Sequence, residues 1–392
     1  MQPRISTQPG LVTKQFLFTF AFLLFLSGCG EASTSASSSD RAVTSGGSTT
    51  DSVNVTIGSP STPTYDLSAF DIAHTVTWPT PPTTTSVINV PADMEFSQAV
   101  QVDGAQVIVA AGYSGAGITF GFGNDVEIIM DNTASITSLV RFGAAQRVSW
   151  TGGNITQGMN TGSVEDLLLN NINVSSTTAS SAIVIGGLAG GGSEFKRVAI
   201  INCTGHSVGI SGSGWGLALW GAEAGTDAED VIVANGLFGT DNYQGNRING
   251  ITRLTIVDTL THAQTDMQNA SWRFHHSNTN VHVENTVGIG HMLNIPVSGD
   301  PAGGTYNLEM INHHQFNLTS STSQFMIENA PFPANTGTIT GSTTHYEGGA
   351  GSFGPYNLTD GGGNSRVSWD GSTFDFSELP GKTAITDYGA DH

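Results

Sequence analysis

Leu167-Leu168-Leu169-Asn170-Asn171 reads as apolar-x-apolar-x-Asn, and the chain repeats that phrase. Val198-x-Ile200-x-Asn202, Val231-x-Val233-x-Asn235, Val281-x-Val283-x-Asn285, Leu308-x-Met310-x-Asn312 and Ile128-x-Met130-x-Asn132 share its form. Leu254-x-Ile256-x-Asp258 and Val148-x-Trp150-x-Gly152 vary only the closing residue. Alternation with period two marks a strand with one buried face. A closing Asn, Asp or Gly marks a tight turn, because these residues tolerate left-handed backbone. The closing positions are 132, 152, 171, 202, 235, 258, 285 and 312, at intervals of 19 to 33 residues. A fixed unit joined by loops of variable length accounts for that spacing. Stacked Asn side chains are then expected to hydrogen-bond to backbone from one turn to the next.

Composition agrees with an all-β chain. Of 392 residues 50 are Gly, and only 11% are charged, against roughly 25% in an ordinary globular domain. The chain is rich in Gly, Ser, Thr, Asn and β-branched residues, which suit strands and turns and not long helices. Tight hairpin signals such as Asn-Gly between equal strands are scarce, which argues against a sandwich or an up-and-down barrel. The formal charge of −20 excludes a general nucleic-acid binder, since no basic stripe is present to displace counterions from phosphate. An anionic ligand needs a local exception to that field.

The chain resembles the pectin-lyase-like superfamily over roughly residues 100–330. Val102-Asp103-Gly104-Ala105-Gln106-Val107-Ile108-Val109-Ala110-Ala111-Gly112-Tyr113 looks like the first rung of such proteins, and the repeated phrases look like its later ones. The resemblance implies a single-stranded right-handed parallel β-helix over 101–330. It implies an N-terminal cap region at 65–100, with short strands in DIAHTVTW and TSVINV. Residues 331–392 are read as last rungs or a C-terminal cap, because Arg366-Val367-Ser368-Trp369-Asp370-Gly371 echoes Arg147-Val148-Ser149-Trp150-Thr151-Gly152.

The N-terminus reads as an address. Arg4 and Lys14 precede the short apolar run Phe16 to Leu26, which is too short for an ordinary spanning helix and has the shape of a secretory signal. Leu26-Ser27-Gly28-Cys29 resembles the lipobox of bacterial lipoproteins, which implies removal of residues 1–28 and lipidation of Cys29. Gly30 after the Cys favours the outer membrane, facing periplasm or cell surface. Loss of Arg4 and Lys14 with the signal takes the charge from −20 to −22. The Ser/Thr/Gly-rich stretch over 29–64 has nothing to bury and is expected to be a flexible tether. The lipid anchor is then the only contact with a membrane, and the protein is expected to be a monomer.

In the superfamily, the strand preceding each repeated phrase belongs to the sheet that usually carries substrate. Reading backward yields Ile183–Ile185, Leu217–Trp220, Asn246–Asn249, Ser271–Ser277 and Met292–Ile295. Alternation with Leu217, Leu219, Ile248, Trp272 and Phe274 inward turns Trp220, Arg247, Asn249, Arg273 and His275 outward. Only nine Lys and Arg follow residue 65, so Arg247 and Arg273 on adjacent rungs are a concentration of cation. A guanidinium pair suits a sugar carboxylate or sulfate, and a Trp face suits a pyranose ring. The partner expected is an acidic polysaccharide, and the reaction is β-elimination by a lyase. Neutralising the uronate acidifies the C5 proton, which His275 or a deprotonated Arg removes. The alternatives are Arg247 and Arg273 as structural donors to loop carbonyls, within a non-catalytic glycan-binding or adhesin-like lipoprotein. Asp241, Tyr243 and Glu223 lie in adjoining loops as further substrate contacts, with calcium as the candidate ion, although spacing alone assembles no six-oxygen site.

Gly205-His206 and Arg247-Ile248-Asn249 resemble parts of polygalacturonase-like motifs, but Ser207, Asn249 and Asn171-Ile172-Asn173 depart from them. The paired carboxylates of inverting hydrolysis are missing there. Seven of the eleven His fall between His262 and His314 without ligand spacing, and are read as solvated or hydrogen-bonded. Cys203 is read as a small buried residue.

Overall fold

The computed structural model describes residues 55–56, 76–177, 181–187, 193–208, 214–221, 228–241, 245–263, 271–275, 277–290, 293–295, 305–317, 327–329, 336–346 and 358–368. Cys29, its leader and most of the expected tether lie outside them.

The chain is a right-handed parallel β-helix, the hand that parallel crossovers take. A complete rung contributes one strand to each of three sheets, A, B and C, in that order. Val164–Asn170, Asn173–Ser176 and Ile183–Ile185 make one rung; Phe195–Ile201, Thr204–Ser207 and Leu217–Trp220 make the next. Among the described residues, sheet A has 13 strands, sheet B 11 and sheet C 8. Successive rungs pair parallel and in register, with Leu167 beside Val198 and Leu169 beside Ile200. Val55–Thr56 departs from this by pairing antiparallel with Ser86–Val90. The first residues of the repeated phrase point inward. Trp150, Leu169, Ile200, Val233, Ile256 and Val283 stack in the core, at most 2% exposed, each contributing about 1.5–3 kcal/mol by burial.

The turns from sheet A to sheet B carry the closing residues. Asn171, Asn202, Asn235, Asp258, Asn285 and Asn312 all have φ between 48° and 54°, a conformation that short polar side chains adopt at low cost. Their ladder differs from expectation, because side chains bond to side chains. Asn235 Nδ2 donates to Asn202 Oδ1 (2.8 Å) and Asn312 Nδ2 to Asn285 Oδ1 (2.8 Å). Gly152, at φ 82°, has no side chain to offer, and Asn171 Nδ2 reaches past it to Asn132 Oδ1 (3.2 Å).

A second ladder stands immediately before the repeated phrase. Asp125, Arg147, Asp166, Arg197, Asp230 and Arg253 alternate in charge from rung to rung, all with φ between 52° and 63°. Arg147 forks onto Asp125 (2.6 and 2.6 Å). Arg197 forks onto Asp166 (2.6 and 3.0 Å) and reaches Glu165. Arg253 forks onto Asp230 (2.6 and 2.9 Å) and reaches Glu229.

The expected cap region holds a strap. Residues 76–85 are extended without being a strand, because Pro79, Pro81 and Pro82 cannot donate to a ladder. The backbone N–H groups of Thr77, Thr80 and Thr83 donate to Asp230, Asp166 and Asp125 (3.2, 2.7 and 3.0 Å). Three residues of polyproline-like chain advance about 9.3 Å and two rungs about 9.6 Å, so every third N–H meets the Asp of every second rung. Val76 and Trp78 lie on an apolar patch outside sheet A formed by Leu168, Ala199, Ile201, Ile232, Ala234 and Val257. TSVINV does supply a strand, Ser86–Val90, followed by the short helix Phe96–Ala99, whose Phe96 enters the core against Trp150 (5.3 Å between rings).

Past residue 330 the coil continues through Gly337–Thr340, Thr343–Tyr346, Thr359–Asp360 and Ser365–Ser368. The echo of 147–152 at 366–371 is not structural, since Arg147 lies in sheet A and Arg366 in sheet B. In the rungs before these, between residues 271 and 315, part of the interior is polar. Ser271 donates to Gln315 Oε1 (3.2 Å), and His313 bridges Thr286 (2.7 Å) and Gln315 (3.2 Å), with all four fully buried.

Candidate functional site

The strands of sheet C are Val140–Phe142, Met159–Thr161, Ile183–Ile185, Leu217–Trp220, Asn246–Asn249, Trp272–His275, Leu293–Ile295 and Ile327–Asn329. Leu217, Leu219, Ile248, Trp272 and Phe274 are buried inward at 0 or 1% exposure. The outward row between them runs Arg141, Asn160, Val184, Ala218, Arg247 and Arg273, each beside the next. Arg147, Arg197, Arg253 and Lys196 are engaged by carboxylates of sheet A. Arg141, Arg247 and Arg273 all stand in this one row of sheet C.

Arg247 is held on three sides. Its guanidinium carbon lies 4.2 Å from the Trp220 ring centre and 5.4 Å from that of Trp215. Its Nε donates to Asn249 Oδ1 at 3.0 Å. The two indoles meet edge to face (5.4 Å, 77°) over Val184 and Ala218. Stacking on indole is the cation–π arrangement of a guanidinium over an aromatic face. Asn249 departs from its expected place at the surface: it is fully buried, its oxygen bonded to Arg247. One face of Trp220 is likewise taken by Arg247. Arg273 is half-buried and directly beside Arg247 in register, and His275 is beside Asn249.

Trp215 is not legible in the sequence. It precedes its strand by two residues, where alternation no longer assigns a face, yet it is 9% exposed and packs outside the coil.

Of the remaining candidates, only Asp241 lies among the described residues, and it is not brought to this row. Asp241 follows the sheet B strand Leu237–Thr240 and bonds to His206 Nε2 at 2.8 Å. Tyr243 and Glu223 lie outside the described residues. His206 belongs to sheet B, with the His262 ring 5.7 Å away, folded over Gly239. His282 is buried between Glu284 (3.0 Å) and Glu309 (3.1 Å). His345 stacks on Phe316 (4.1 Å); burial, aided by neighbouring His314, pushes its pKa down to about 4. These His are hydrogen-bonded and mostly buried, more than solvated. Burial drives the Cys203 thiol up to about 12, as suits a core residue. Among the described residues no group of three or more His, Cys, Asp or Glu is placed to hold a metal ion, so calcium finds no fitted site there. A cavity of about 400 Å³ opens where sheet C turns into sheet A, but Glu165 and Glu194 line it beside Lys196, an unfavourable setting for a polyanion.

No family model matches the sequence, and no curated protein matches it. Among solved structures, the chain is similar to PfbA, a surface adhesin of Streptococcus pneumoniae, with 11% identity over 71% of this chain and 88% of that one, at TM-score 0.45. It is similar to the tailspike protein gp49 of Pseudomonas phage LKA1, with 15% identity over 74% of this chain and TM-score 0.41, spanning about half (52%) of that protein. A polygalacturonase from Erwinia carotovora ssp. carotovora is 8% identical over 77% of this chain and all of its own length (100%), at TM-score 0.31. At these values no activity transfers.

Proposed function

We propose that this protein is a carbohydrate-active lipoprotein that takes an acidic polysaccharide on the outward face of sheet C and cleaves it by β-elimination. One observation carries the reading: Arg247 and Arg273 stand side by side on neighbouring strands, with Arg247 braced by two indoles. Guanidinium groups carried on neighbouring strands, whose backbones lie about 4.8 Å apart, grip a uronate carboxylate through several N–H donors. Neutralising that carboxylate makes the C5 proton acidic. His275, two residues along the same strand from Arg273 and beside Asn249 in register, is the base that removes it. The C5–H electron pair forms the C4–C5 double bond, the C4–O4 bond breaks, and the departing oxygen takes a proton from water. The products are an unsaturated uronate and a new chain end.

A second reading, glycan binding without cleavage, is favoured by the bracing of Arg247 itself, which suits a rigid recognition platform. Ultraviolet absorbance during incubation with pectate, alginate, glycosaminoglycans or ulvan, with and without calcium, separates the two. Elimination raises it, and His275→Ala slows the rise about a hundredfold or more, while Arg273→Ala weakens substrate binding. No rise, together with retention on an immobilised polymer that Arg247→Ala abolishes, supports binding alone. Neither rise nor retention with any polymer removes both readings.

A further inference from the structure

We infer that the same face holds a second anionic subsite at its N-terminal end, built by Phe120, Arg141 and Asn160. The inference rests on the reading of sheet C as a glycan-binding face and extends it to the length of polymer held.

Arg141 and Asn160 occupy adjacent strands in register, in the outward row that contains Arg247. The Nε of Arg141 and the Oδ1 of Asn160 are both shielded from solvent, and neither has a hydrogen-bond partner within the protein. A buried donor and acceptor left open on neighbouring rungs cost free energy that a ligand can recover. Arg141 supplies a cation for a carboxylate, and Asn160 an acceptor for a sugar hydroxyl.

Phe120 adds an apolar platform. Thr119 bridges to Arg141, and the Phe120 N–H donates to the Arg141 carbonyl at 2.9 Å. Phe120 is 58% exposed and has φ 62°. A bulky residue in left-handed backbone is an outlier, and such strain gathers where a ligand is held. Beyond the inward Phe142 and Thr161, the next outward positions are Gly143 and Gly162. A Cβ on Gly143 would meet nothing within 4 Å, so the floor beside Arg141 is low and open.

From Arg141 to Arg247 there are four strand steps, through Asn160, Val184 and Ala218. At about 4.8 Å each the two cations stand roughly 19 Å apart along the coil axis. A disaccharide cannot bridge that distance, whereas a longer oligosaccharide lying along the coil meets both.

The test is the chain-length dependence of affinity. Titration calorimetry compares a uronate disaccharide with an octasaccharide, using oligogalacturonates and oligomannuronates. The wild type is expected to bind the octasaccharide more tightly. Arg141→Ala should cost about tenfold with the octasaccharide and nothing with the disaccharide, whereas Arg247→Ala should weaken both. Phe120→Gly relieves the backbone strain, so it should leave the melting temperature unchanged or raised while still weakening octasaccharide binding, an outcome that a structural role for Phe120 does not produce. If the octasaccharide binds no tighter than the disaccharide, or Arg141→Ala leaves its affinity unchanged, the second subsite is wrong and the Arg247 site stands. If no uronate of either length binds the wild type, both fall.

Discussion

Arginine in this chain serves two distinct purposes, and the partner at each guanidinium tells them apart. Arg197 forks onto Asp166, whose side chain is 6% exposed, and also pairs with Glu165. Removing Arg197 strands a nearly buried carboxylate, so Arg197→Ala is expected to cost about 3 kcal/mol. Urea unfolding would register that as a lower midpoint, with polysaccharide retention unchanged. Arg197→Lys should restore only part of the loss, because an ammonium cannot fork. A midpoint unmoved by Arg197→Ala would mean that the ladder contributes little. Arg247, packed on the indoles of Trp215 and Trp220, should show the opposite pattern. The ladder leaves a trace in the sequence, since Arg147, Asp166, Arg197, Asp230 and Arg253 each directly precede the apolar phrase and Asp125 precedes the apolar run that leads into it. The burial of Asn249 leaves none, because alternation assigns a side of the sheet and not what covers it.

At the scale of elements, the strap and sheet A act as one unit. The carboxyls of Asp166 and Asp230 lose solvation by burial, but the forked Arg and the strap N–H outweigh it and hold both below the usual carboxylate range. Asp125 is held low chiefly by Arg147. Folding lowers these values, so the native chain binds fewer protons than the unfolded one. Their stabilisation is present above about pH 4 and is lost as pH falls through the lowered native values. Thr80→Pro keeps the extended backbone but deletes the N–H that reaches Asp166. We expect it to cost about 2 kcal/mol near neutral pH and progressively less in acid, as followed by urea midpoints between pH 7 and pH 3. A cost that does not shrink in acid would detach the strap from these carboxylates. The strands of sheet C are legible in the amino-acid order, because each lies a short stretch ahead of a repeated phrase. The strap is not, because a Pro- and Thr-rich run has no period until a ladder of Asp on every second rung supplies one.

At the scale of the whole molecule, the remaining question is where the coil resides. We propose, from the resemblance of Leu26-Ser27-Gly28-Cys29 to a lipobox, that the protein is attached to the outer membrane through acyl chains. Cells fed labelled palmitate should transfer label to the wild-type protein and none to Cys29→Ala, which should move to the soluble fraction. A wild type that is soluble and unlabelled would end the anchor proposal. What the amino-acid order determined alone is the coil: a period-two phrase closed by Asn states both the strand and the turn, and its repetition stacks one unit on the next. Those are local preferences, complete within five residues. Alternation already put Arg247 and Arg273 on one face; only the tertiary structure decided how the other cations are sorted. Arg147, Arg197 and Arg253 find carboxylates a rung away, while Arg141, Arg247 and Arg273 are gathered into one row of sheet C. That sorting depends on contacts between residues about twenty to thirty positions apart, brought to the spacing of neighbouring strands by the coil.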